Sequence, residues 1–390
     1  MLHQESSNKL IIELFKEYYR KANLILPEDF VLREFAIQPF NSSTYIRHLS
    51  FQKRDDLLAF IERNTPKHLY YSSARYENPG LKDMESKKWL GADLIFDIDA
   101  DHIPGCNEIK LWLCPNGHSG MGDETICPFC GAKVTKTSIV DDSCLMKGLN
   151  QILLLLDVLV EDFGFDKNSI KIYFSGHRGF HLHVYLNDKV AQMGSDERRE
   201  IVDYIIGIGL NVESLKLVNE TRGRSRRLAL MPRVNDYGWR RRIATALLNK
   251  NIEETLRKYL LGEAQPSLAV TISKMQDLVT EAIDSARVFV DEKVTIDTKR
   301  LIRVPYSLNG KTGLIVSELQ PGKLTKFKPL LDNLSPFKGI AKFISYVDLK
   351  NLKLLGRDIR LEKNKIHTLE LGLAVYLELK GIGKIMRIQR

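Results

Sequence analysis

The feature that most constrains the fold of this chain is a cluster of cysteines in its first half. Four of the five cysteines lie between residues 106 and 130, and Cys127 and Cys130 form a Cys-x-x-Cys pair that a glycine follows. Such a turn brings two thiolates to one metal ion. Cys114 and His118 lie upstream and complete a tetrahedral set. The spacing therefore predicts a closed, structural zinc site made by Cys114, His118, Cys127 and Cys130.

Two alternatives stay open at this site. Cys106 could replace His118 or Cys114 as a ligand, and the Cys-x-x-Cys pair could instead be redox-active. A redox pair is expected between a strand and a helix, which the flanking residues do not provide. Cys144 begins a predicted helix, and we expect it to be a buried free thiol. Few, clustered cysteines favour a reducing cytosol over a secreted, disulfide-stabilised domain.

The composition is that of a globular protein with an anionic partner. Of the 390 residues, 44% are hydrophobic and 27% are charged, which is enough apolar material to bury a core. The longest apolar run, Ile152–Leu156, is too short to span a membrane, and the N-terminus lacks a signal-peptide pattern. The net charge of +9 favours nucleic acid or nucleotides, although an ordinary basic surface gives the same sum.

Hydrophobic patterning predicts a mixed α+β core with two insertions. The insertions are a loop-rich, cysteine-bearing segment at about 106–131 and a helical segment at about 195–285. The other predicted elements are helices over 7–24 and 142–163, a strand over 91–100, and two strands around a glycine turn over 171–186. Residues 346–390 form a C-terminal extension to which the sequence assigns no role.

A candidate metal site lies at the end of the strand over 91–100. Asp97 and Asp99 alternate with Phe96 and Ile98, so both carboxylates share one face. Carboxylates about 6–7 Å apart repel each other unless a cation lies between them, and Mg²⁺ prefers such oxygen ligands. Two solvated acids at a strand end give the same pattern, but the apolar residues before the pair and the acidic ones after it favour a metal.

The segment 174–181 is a candidate phosphate site. Its two glycines allow a close backbone approach, and its donors are Ser175, His177, Arg178 and His181. His181 and His183 could instead bind a metal, although one packed or hydrogen-bonded histidine is the more usual outcome.

A further acidic and basic stretch follows residue 290. Asp291 and Asp297 compete as a third metal ligand at the edge of an apolar strand, and Arg300 and Arg303 could meet phosphates or pair with structural acids. The nearby Gly-Lys-Thr at 310–312 lacks the leading glycine of a Walker A loop.

Arginines are dense over residues 222–242. They are Arg222, Arg224, Arg226, Arg227, Arg233, Arg240, Arg241 and Arg242. This density suits contact with a nucleic-acid backbone, and a solvated face or an acidic protein partner explains it equally well.

Seven segments, taken together and in order, resemble the catalytic small subunit of archaeal and eukaryotic DNA primases, in its archaeal form. They are YIRHLSF at 45–51, YYSSARYENP at 70–79, ADLIFDID at 92–99, FSGHRGFHLHV at 174–184, SDERREIVDYI at 195–205, GWRRRI at 238–243 and VDEKVTIDTKRLIRVPYSLNGKTGL at 290–314. The resemblance extends to about residue 345 and implies an archaeo-eukaryotic primase fold over 1–345, with a mixed or antiparallel sheet flanked by helices.

The resemblance also implies roles for individual residues. The metal-binding catalytic carboxylates would be Asp97, Asp99 and Asp291, the last favoured over Asp297 by its spacing to the Leu-Ile-Arg-Val-Pro segment. The implied nucleotide contacts are Ser175, His177, Arg178, His181, Arg303, Asn309 and, with less weight, Arg47. His177 stands where a second arginine is common, and Asn309 stands where a histidine is usual. Asparagine can donate a hydrogen bond but carries no charge.

The implied activity is the synthesis of short RNA or DNA primers on single-stranded DNA, by two-metal nucleotidyl transfer from nucleoside triphosphates with Mg²⁺ or Mn²⁺. The implied partner is a primase large subunit, which normally carries an iron–sulfur domain; this chain lacks the spare cysteines for its own cluster. The implied location is the cytoplasm and nucleoid of an archaeal cell. The alternatives are a gap-filling polymerase of the same fold, a metal-dependent phosphohydrolase and a non-catalytic zinc-bearing module.

Overall fold

The computed structural model describes residues 2–106, 108–186, 189–210, 215, 218–219, 228–229, 232–263 and 272–389. The chain divides into two compact units. The larger unit is Met1–Asn150, Asn168–Asp196 and Asp291–Arg390, and the smaller is Gln151–Lys167 and Glu197–Val290.

Helices and strands both occur throughout the described residues, so the chain belongs to the α+β class. The helices are α1 (Leu2–Tyr19), α2 (Arg54–Asn64), α3 (Asp142–Glu161), α4 (Ser195–Ile206), α5 (Gly238–Leu248), α6 (Glu254–Leu260), α7 (Ile272–Ala286), α8 (Glu292–Ile296), α9 (Leu331–Leu334) and α10 (Leu371–Leu379). The strands are β1 (Phe35–Gln38), β2 (Ile46–Leu49), β3 (His68–Ser72), β4 (Ala74–Tyr76), β5 (Trp89–Ala92), β6 (Leu94–Asp99), β7 (Glu108–Leu113), β8 (Ser119–Met121), β9 (Thr135–Val140), β10 (Ile170–Phe174), β11 (Gly179–Val184), β12 (Val218–Asn219), β13 (Leu228–Ala229), β14 (Leu301–Arg303), β15 (Ser317–Leu319), β16 (Ile340–Ser345), β17 (Leu349–Leu354), β18 (Arg357–Leu361), β19 (Ile366–Glu370) and β20 (Gly383–Gln389).

Two four-stranded antiparallel sheets form the centre of the larger unit. Their strand orders are β14-β3-β1-β2 and β15-β10-β11-β6. Every residue of β3 and β11 is buried, and β6 is buried over most of its length. Strands covered on both faces need near-continuous apolar sequence, which explains runs such as Leu94–Phe96. The strand predicted over 91–100 and the two strands predicted around the glycine turn are confirmed.

The C-terminal residues form a small sheet with a buried helix. The sheet order is β19-β16-β20, and β17 pairs with β18 in a separate hairpin. In α10, Leu371 to Leu377 are all buried. The sequence gives this segment no role, but its burial makes it an integral part of the larger unit's core.

The cysteine-bearing insertion is more regular than the sequence predicts. Strand β7 pairs with both β8 and β9, so two strands lie within the predicted loop-rich segment and a third follows it, while most of residues 114–131 are loop. Gly120 accounts for the close approach of two strands, because a β-carbon there would lie 2.6 Å from the Trp112 ring.

Two cysteine predictions are wrong. Cys144 is not a free thiol, because it forms a disulfide with Cys106, whose Cα lies 5.3 Å from its own. Cys106 is therefore unavailable as a zinc ligand. The pairing joins residues 38 positions apart in sequence, since the loop after β6 returns beside the first turn of α3. Local spacing carries no information about such a contact.

Helix α3 confirms the helix predicted over 142–163. It is also the one described helix that meets the length and composition of a membrane span, which was not expected from the sequence. It is long and apolar enough to cross a bilayer, and 44% of its most apolar window is buried within the protein. A core helix of a soluble protein has the same properties, and Leu149, Ile152 and Leu155 are buried. The helix is thus weak support for a span.

The smaller unit has its own hydrophobic core, made largely by helices. Trp239, Ile243, Leu247, Leu260 and Ile283 are among the buried residues of this core. A short hairpin, β12 with β13, belongs to the same unit. Arg222, Arg224, Arg226 and Arg227 of the predicted basic run lie outside the described residues.

Arg33 is the centre of a buried ion-pair network in the larger unit. Its guanidinium lies 2.7 Å from Asp93 and 2.8 Å from Asp29, and it also donates to the carbonyls of Ser72 and Ser73. Removing one partner of such a pair leaves the other charged and desolvated, which is costly.

We expect Arg33→Met to lower the free energy of unfolding by about 3–5 kcal/mol, because it removes the closest cation from the buried Asp93 carboxylate and leaves it only the longer contact with Arg75. The matched control is Arg20→Met, which breaks an exposed pair with Glu62 and should cost at most about 1 kcal/mol. Denaturant unfolding of both variants measures the difference. Equal losses would contradict the assignment of Arg33 as a core residue.

Candidate active site and metal centre

The register of β6 on β11 brings the acidic pair to the phosphate-site turn. Asp97 lies opposite His181, and Asp99 lies opposite Gly179. The missing side chain at Gly179 is required, because a β-carbon there would press on the Ile98 carbonyl and lie 2.7 Å from Asp99 Oδ1. The two carboxylates, which were predicted to share one face of the strand, therefore lie beside the first residues of β11.

A cavity of about 450 Å³ opens at this point of the larger unit. It is lined by Tyr45, Arg47, Tyr70, Ile95, Asp97, Asp99, Ser175, His177, Arg178, His181, Val294, Asp297, Lys299, Arg300, Leu301, Ile302, Arg303 and Lys311. One wall is thus acidic and the others are strongly basic, which suits a ligand that carries both metal ions and phosphates.

Burial disfavours the ionised form of both acids of the pair, Asp97 and Asp99. Desolvation raises the pKa of Asp97 to about 6, with Arg303 opposing the shift and Asp291 adding to it. Desolvation, followed by the charge of Asp97, also raises the pKa of Asp99 to about 6. Asp97 Oδ1 is buried without a hydrogen bond. A divalent cation would supply both the missing partner and the missing positive charge, so the donor set fits such an ion.

His181 faces the acidic pair as a neutral ring. Its Nε2 lies 3.5 Å from Asp97 Oδ1. Burial lowers its pKa to about 3, and the Arg303 and Arg300 charges act in the same direction. His183 stacks on it with ring centroids 6.2 Å apart, but His183 is fully buried and lies outside the cavity lining. The pair is therefore arranged as one cavity-facing and one packed histidine.

The Ser175 side chain and two glycines shape the turn between β10 and β11. Ser175 Oγ accepts from the backbone N–H groups of His177 and Gly179, at 3.3 and 3.2 Å. Gly176 has a φ of +73°, and a β-carbon there would lie 2.9 Å from Asn309 Cβ. Only glycine takes up this backbone conformation and this space without strain.

Arg178 is held at the cavity by three carboxylates. Its guanidinium lies 2.9 Å from Asp101, 3.1 Å from Glu108 and 3.8 Å from Asp99. These partners restrict a long side chain to one direction, which lowers the entropy cost of binding an anion. Asp99 and Asp101 also form, with His102, a group whose ligand atoms lie within 4.8 Å of one another.

The third carboxylate is placed differently from the sequence prediction. Asp291 does not end a strand; it caps the N-terminus of α8, where its side chain accepts from the Lys293 N–H at 3.0 Å. Its own N–H donates to the Asp97 carbonyl at 2.9 Å, so it lies beside the acidic pair. Asp297, the competing candidate, lines the cavity. Both acids therefore remain near the site.

The remaining predicted nucleotide contacts divide into two groups. Arg303 and Arg47 line the cavity, and Arg47 is anchored by Glu34 at 2.9 Å. Asn309 does not reach the cavity lining; it is buried beneath the turn and donates from Nδ2 to the Ser175 carbonyl at 2.9 Å. Its geometry is that of a support for the turn rather than a phosphate ligand.

Several cavity residues escaped the sequence-based list. Tyr45, Tyr70, Lys299 and Lys311 line the cavity, and the Arg303 guanidinium lies 5.6 Å from the centre of the Tyr70 ring. All four lie inside the segments that resemble the primase family, so the resemblance is the signal that could have identified them.

The described arginines of the basic run are engaged within the smaller unit. Arg240 pairs with Asp236 at 2.9 Å, Arg241 with Asp157 at 2.7 Å, and the buried Arg242 donates to two backbone carbonyls. These three side chains therefore have partners within the smaller unit, and both interpretations of the basic run stay open.

The predicted zinc ligands meet in space. The ligand atoms of Cys114, His118, Cys127 and Cys130 all lie within 4.8 Å of one another. Cys114 Sγ lies 3.4 Å from Cys130 Sγ, and Cys127 Sγ lies 3.5 Å from His118 Nδ1. Tetrahedral zinc with Zn–S bonds of about 2.3 Å sets sulfur atoms somewhat under 4 Å apart. The four donors therefore fit one closed metal site.

Comparisons with known proteins agree with these features. The family model for the DNA primase small subunit matches residues 138–321. The DNA primase small subunit PriS of Hyperthermus butylicus is 36% identical over 386 residues, which cover 97% of this chain and 96% of the relative. PriS of Sulfolobus acidocaldarius is 37% identical over 381 residues, covering 98% and 96%. Among solved structures, the polymerase domain from Mycobacterium tuberculosis ligase D in complex with DNA covers 81% of each chain at 12% identity and a TM-score of 0.30, too low to establish a common fold.

Metal-free protein should lose stability as its acidic pair ionises. The raised pKa values mean that the folded state favours protonated Asp97 and Asp99. Ionising these acids therefore lowers the free energy of unfolding, and this loss is absent below about pH 4 and complete above about pH 7. We expect Asp97→Asn to be more stable than wild type by about 1–2 kcal/mol at pH 8 and equal to it at pH 4.

Thermal unfolding in the presence of a chelator, at both pH values, measures this difference. Added Mg²⁺ or Mn²⁺ should stabilise the wild type more than the variant. A variant less stable than wild type at pH 8 would show that the pair is satisfied without a cation.

The cysteine site should hold one zinc ion per chain. Cys127→Ser should abolish zinc binding because it removes one of four ligands. Cys106→Ser, the matched control, should retain the ion because Cys106 is paired with Cys144. Mass spectrometry of the purified variants measures the zinc content of each. Loss of zinc from Cys106→Ser would show that Cys106 is a zinc ligand after all.

Proposed function

Because the chain belongs to the DNA primase small-subunit family, we propose that it is the catalytic subunit of a DNA primase, which joins nucleotides into short primers on single-stranded DNA. The observation that carries this proposal is the cavity in which a buried acidic pair faces a glycine turn and several cations. Near-full-length identity of 36–37% to archaeal relatives named for this subunit supports it.

We assign the divalent ions to Asp97, Asp99 and Asp291, with Mg²⁺ or Mn²⁺ as the ion. When bound, such ions activate the attacking 3′-hydroxyl and stabilise charge on the α-phosphate and the leaving pyrophosphate. The chain's own contribution is to hold three carboxylates on β6 and at the start of α8, and burial keeps the two on β6 poorly solvated. Poor solvation strengthens their attraction for a cation.

We assign the triphosphate to the basic wall of the cavity. The Ser175 hydroxyl accepts from the backbone of its own turn and keeps its proton to donate to the triphosphate, while Arg178 and Arg303 supply charge to the β- and γ-phosphates. The neutral His181 ring can donate one hydrogen bond beside the acidic pair. Arg47 and Lys311 line the same cavity and extend the basic wall. His177 lines it as well, and Asn309 supports the turn from below.

The remaining assignments follow from the family. A primase large subunit is the expected protein partner, and single-stranded DNA and nucleoside triphosphates are the expected substrates. The zinc ion is expected to be structural, because four protein ligands leave no open position. We place the enzyme at the nucleoid in the cytoplasm of an archaeal cell.

The decisive experiment is primer synthesis on unprimed single-stranded DNA with labelled nucleotides and Mg²⁺ or Mn²⁺. The double variant Asp97→Asn, Asp99→Asn should reduce product by about a thousandfold or more, because it removes the ligands of the catalytic ions. The matched control is Asp55→Asn, Asp56→Asn, an exposed acidic pair in the first turn of α2, which should leave synthesis unchanged.

Three other outcomes would change the assignment. Extension of a supplied primer without synthesis on bare template, even with the large subunit present, would favour a gap-filling polymerase. Shortening of the strand without added nucleotide would favour a phosphohydrolase. DNA binding with no reaction in either format would favour a non-catalytic zinc-bearing module.

A further inference from the structure

The C-terminal helix α10 supports the phosphate-site turn through an intervening loop. Gly313 lies against this helix, and a β-carbon there would be 2.7 Å from Val375 Cγ1 and 3.4 Å from Leu379 Cδ1. The same loop carries Asn309 and Thr312, which donate to the carbonyls of Ser175 and Gly176 respectively. Packing therefore connects α10, the loop over 309–314 and the turn over 175–178.

Lys380, the residue that follows α10, extends this connection to a side chain of the cavity. Its Nζ lies 2.7 Å from His177 Nε2 and 2.7 Å from the Ser138 carbonyl on β9. When Lys380 is charged, its ammonium has donors but no acceptor, so His177 Nε2 accepts the hydrogen bond. The remaining proton of the neutral ring is then on Nδ1. Lys380 thus fixes both the position and the tautomer of a ring that lines the cavity.

The charges around Lys380 favour a polyanion nearby. Burial, followed by the charges of Arg178 and Lys311, lowers the pKa of Lys380 to about 7. Burial, followed by the charge of Lys380, holds the pKa of His177 well below its usual value. Clustered, poorly solvated cations repel one another until an anion binds. Glu108 and Asp101 offset part of this repulsion. Since Arg178 and Lys311 line the proposed triphosphate site, a bound triphosphate would offset the rest.

The zinc-bearing segment contributes to the same arrangement. Ser138 on β9 accepts from Lys380, and Glu108 on β7 pairs with Arg178 at 3.1 Å. A second contact joins the two segments, because Ser119 Oγ donates to the Tyr346 carbonyl at 2.8 Å. The C-terminal segment and the β7–β9 sheet therefore hold adjacent residues of one turn, His177 and Arg178.

We propose that Lys380 is a positioning residue of the nucleotide site, which orients His177 toward the triphosphate, and that residues 346–390 thereby complete this site. The proposal rests on the proposed function, since it takes the bound anion to be a nucleoside triphosphate. It assigns a role to a segment far in sequence from the catalytic motifs.

The test measures ATP binding with Mg²⁺ by calorimetry, together with the KM for nucleotide in primer synthesis. Lys380→Met and His177→Ala should each weaken ATP binding about tenfold. The double variant should be no weaker than either single variant, because Lys380 acts through His177. Affinity for single-stranded DNA should stay unchanged in all three. The matched control is Lys350→Met, the same change at an exposed position of β17 in the same segment.

A merely structural role for Lys380 predicts different results. Additive losses in the double variant, or a parallel loss of DNA affinity, would overturn the proposal, as would ATP binding by Lys380→Met within twofold of wild type. If thermal unfolding shows that Lys380→Met does not fold, Lys380→Gln replaces it, because its amide can still donate to Ser138. A wild-type protein that neither binds ATP nor makes primers would overturn the proposed function itself, which separates the two failures.

Discussion

The antiparallel pairing of β6 with β11 is the constraint on which the site depends. It places Asp97 opposite His181 and Asp99 opposite Gly179, so one register sets the acidic pair beside the phosphate-site turn. A slip of one residue would turn both carboxylates to the opposite face of the sheet. The register is secured by the apolar residues that alternate with the acids and by Gly179, where any side chain would strike the neighbouring strand.

Around this pairing, the charged side chains of the cavity are held from outside it. Arg178 is tethered by Asp101 and Glu108, and Arg47 by Glu34, which in turn pairs with the buried Lys87 at 2.5 Å. Buried ion pairs add little net stability, because desolvation offsets their attraction. Here these ion pairs restrict the conformations of long, flexible side chains, so that the charged groups point into the cavity before a ligand binds.

Much of the local structure could be predicted from sequence. The strand with Asp97 and Asp99, the glycine turn, helix α3 and the meeting of the four zinc ligands follow from periodicity and spacing. Two features do not, because each depends on a distant partner: Cys106 forms a disulfide with Cys144, 38 positions away, and Arg241 pairs with Asp157, 84 positions away. The N-cap role of Asp291 is a local contact with the Lys293 N–H, and the prediction of a strand at this point missed it.

The sequence by itself determined which residues share a strand face or a tight turn, because backbone geometry fixes side-chain direction over two to four residues. It also determined the chemistry available: carboxylates, cations, thiolates and a glycine turn. Only the tertiary structure decided that Lys380 meets His177, that Asn309 lies beneath the turn, and that Lys311 and Asp99 line one cavity. These contacts join residues more than 100 positions apart, and packing of the whole core, rather than any local pattern, sets them.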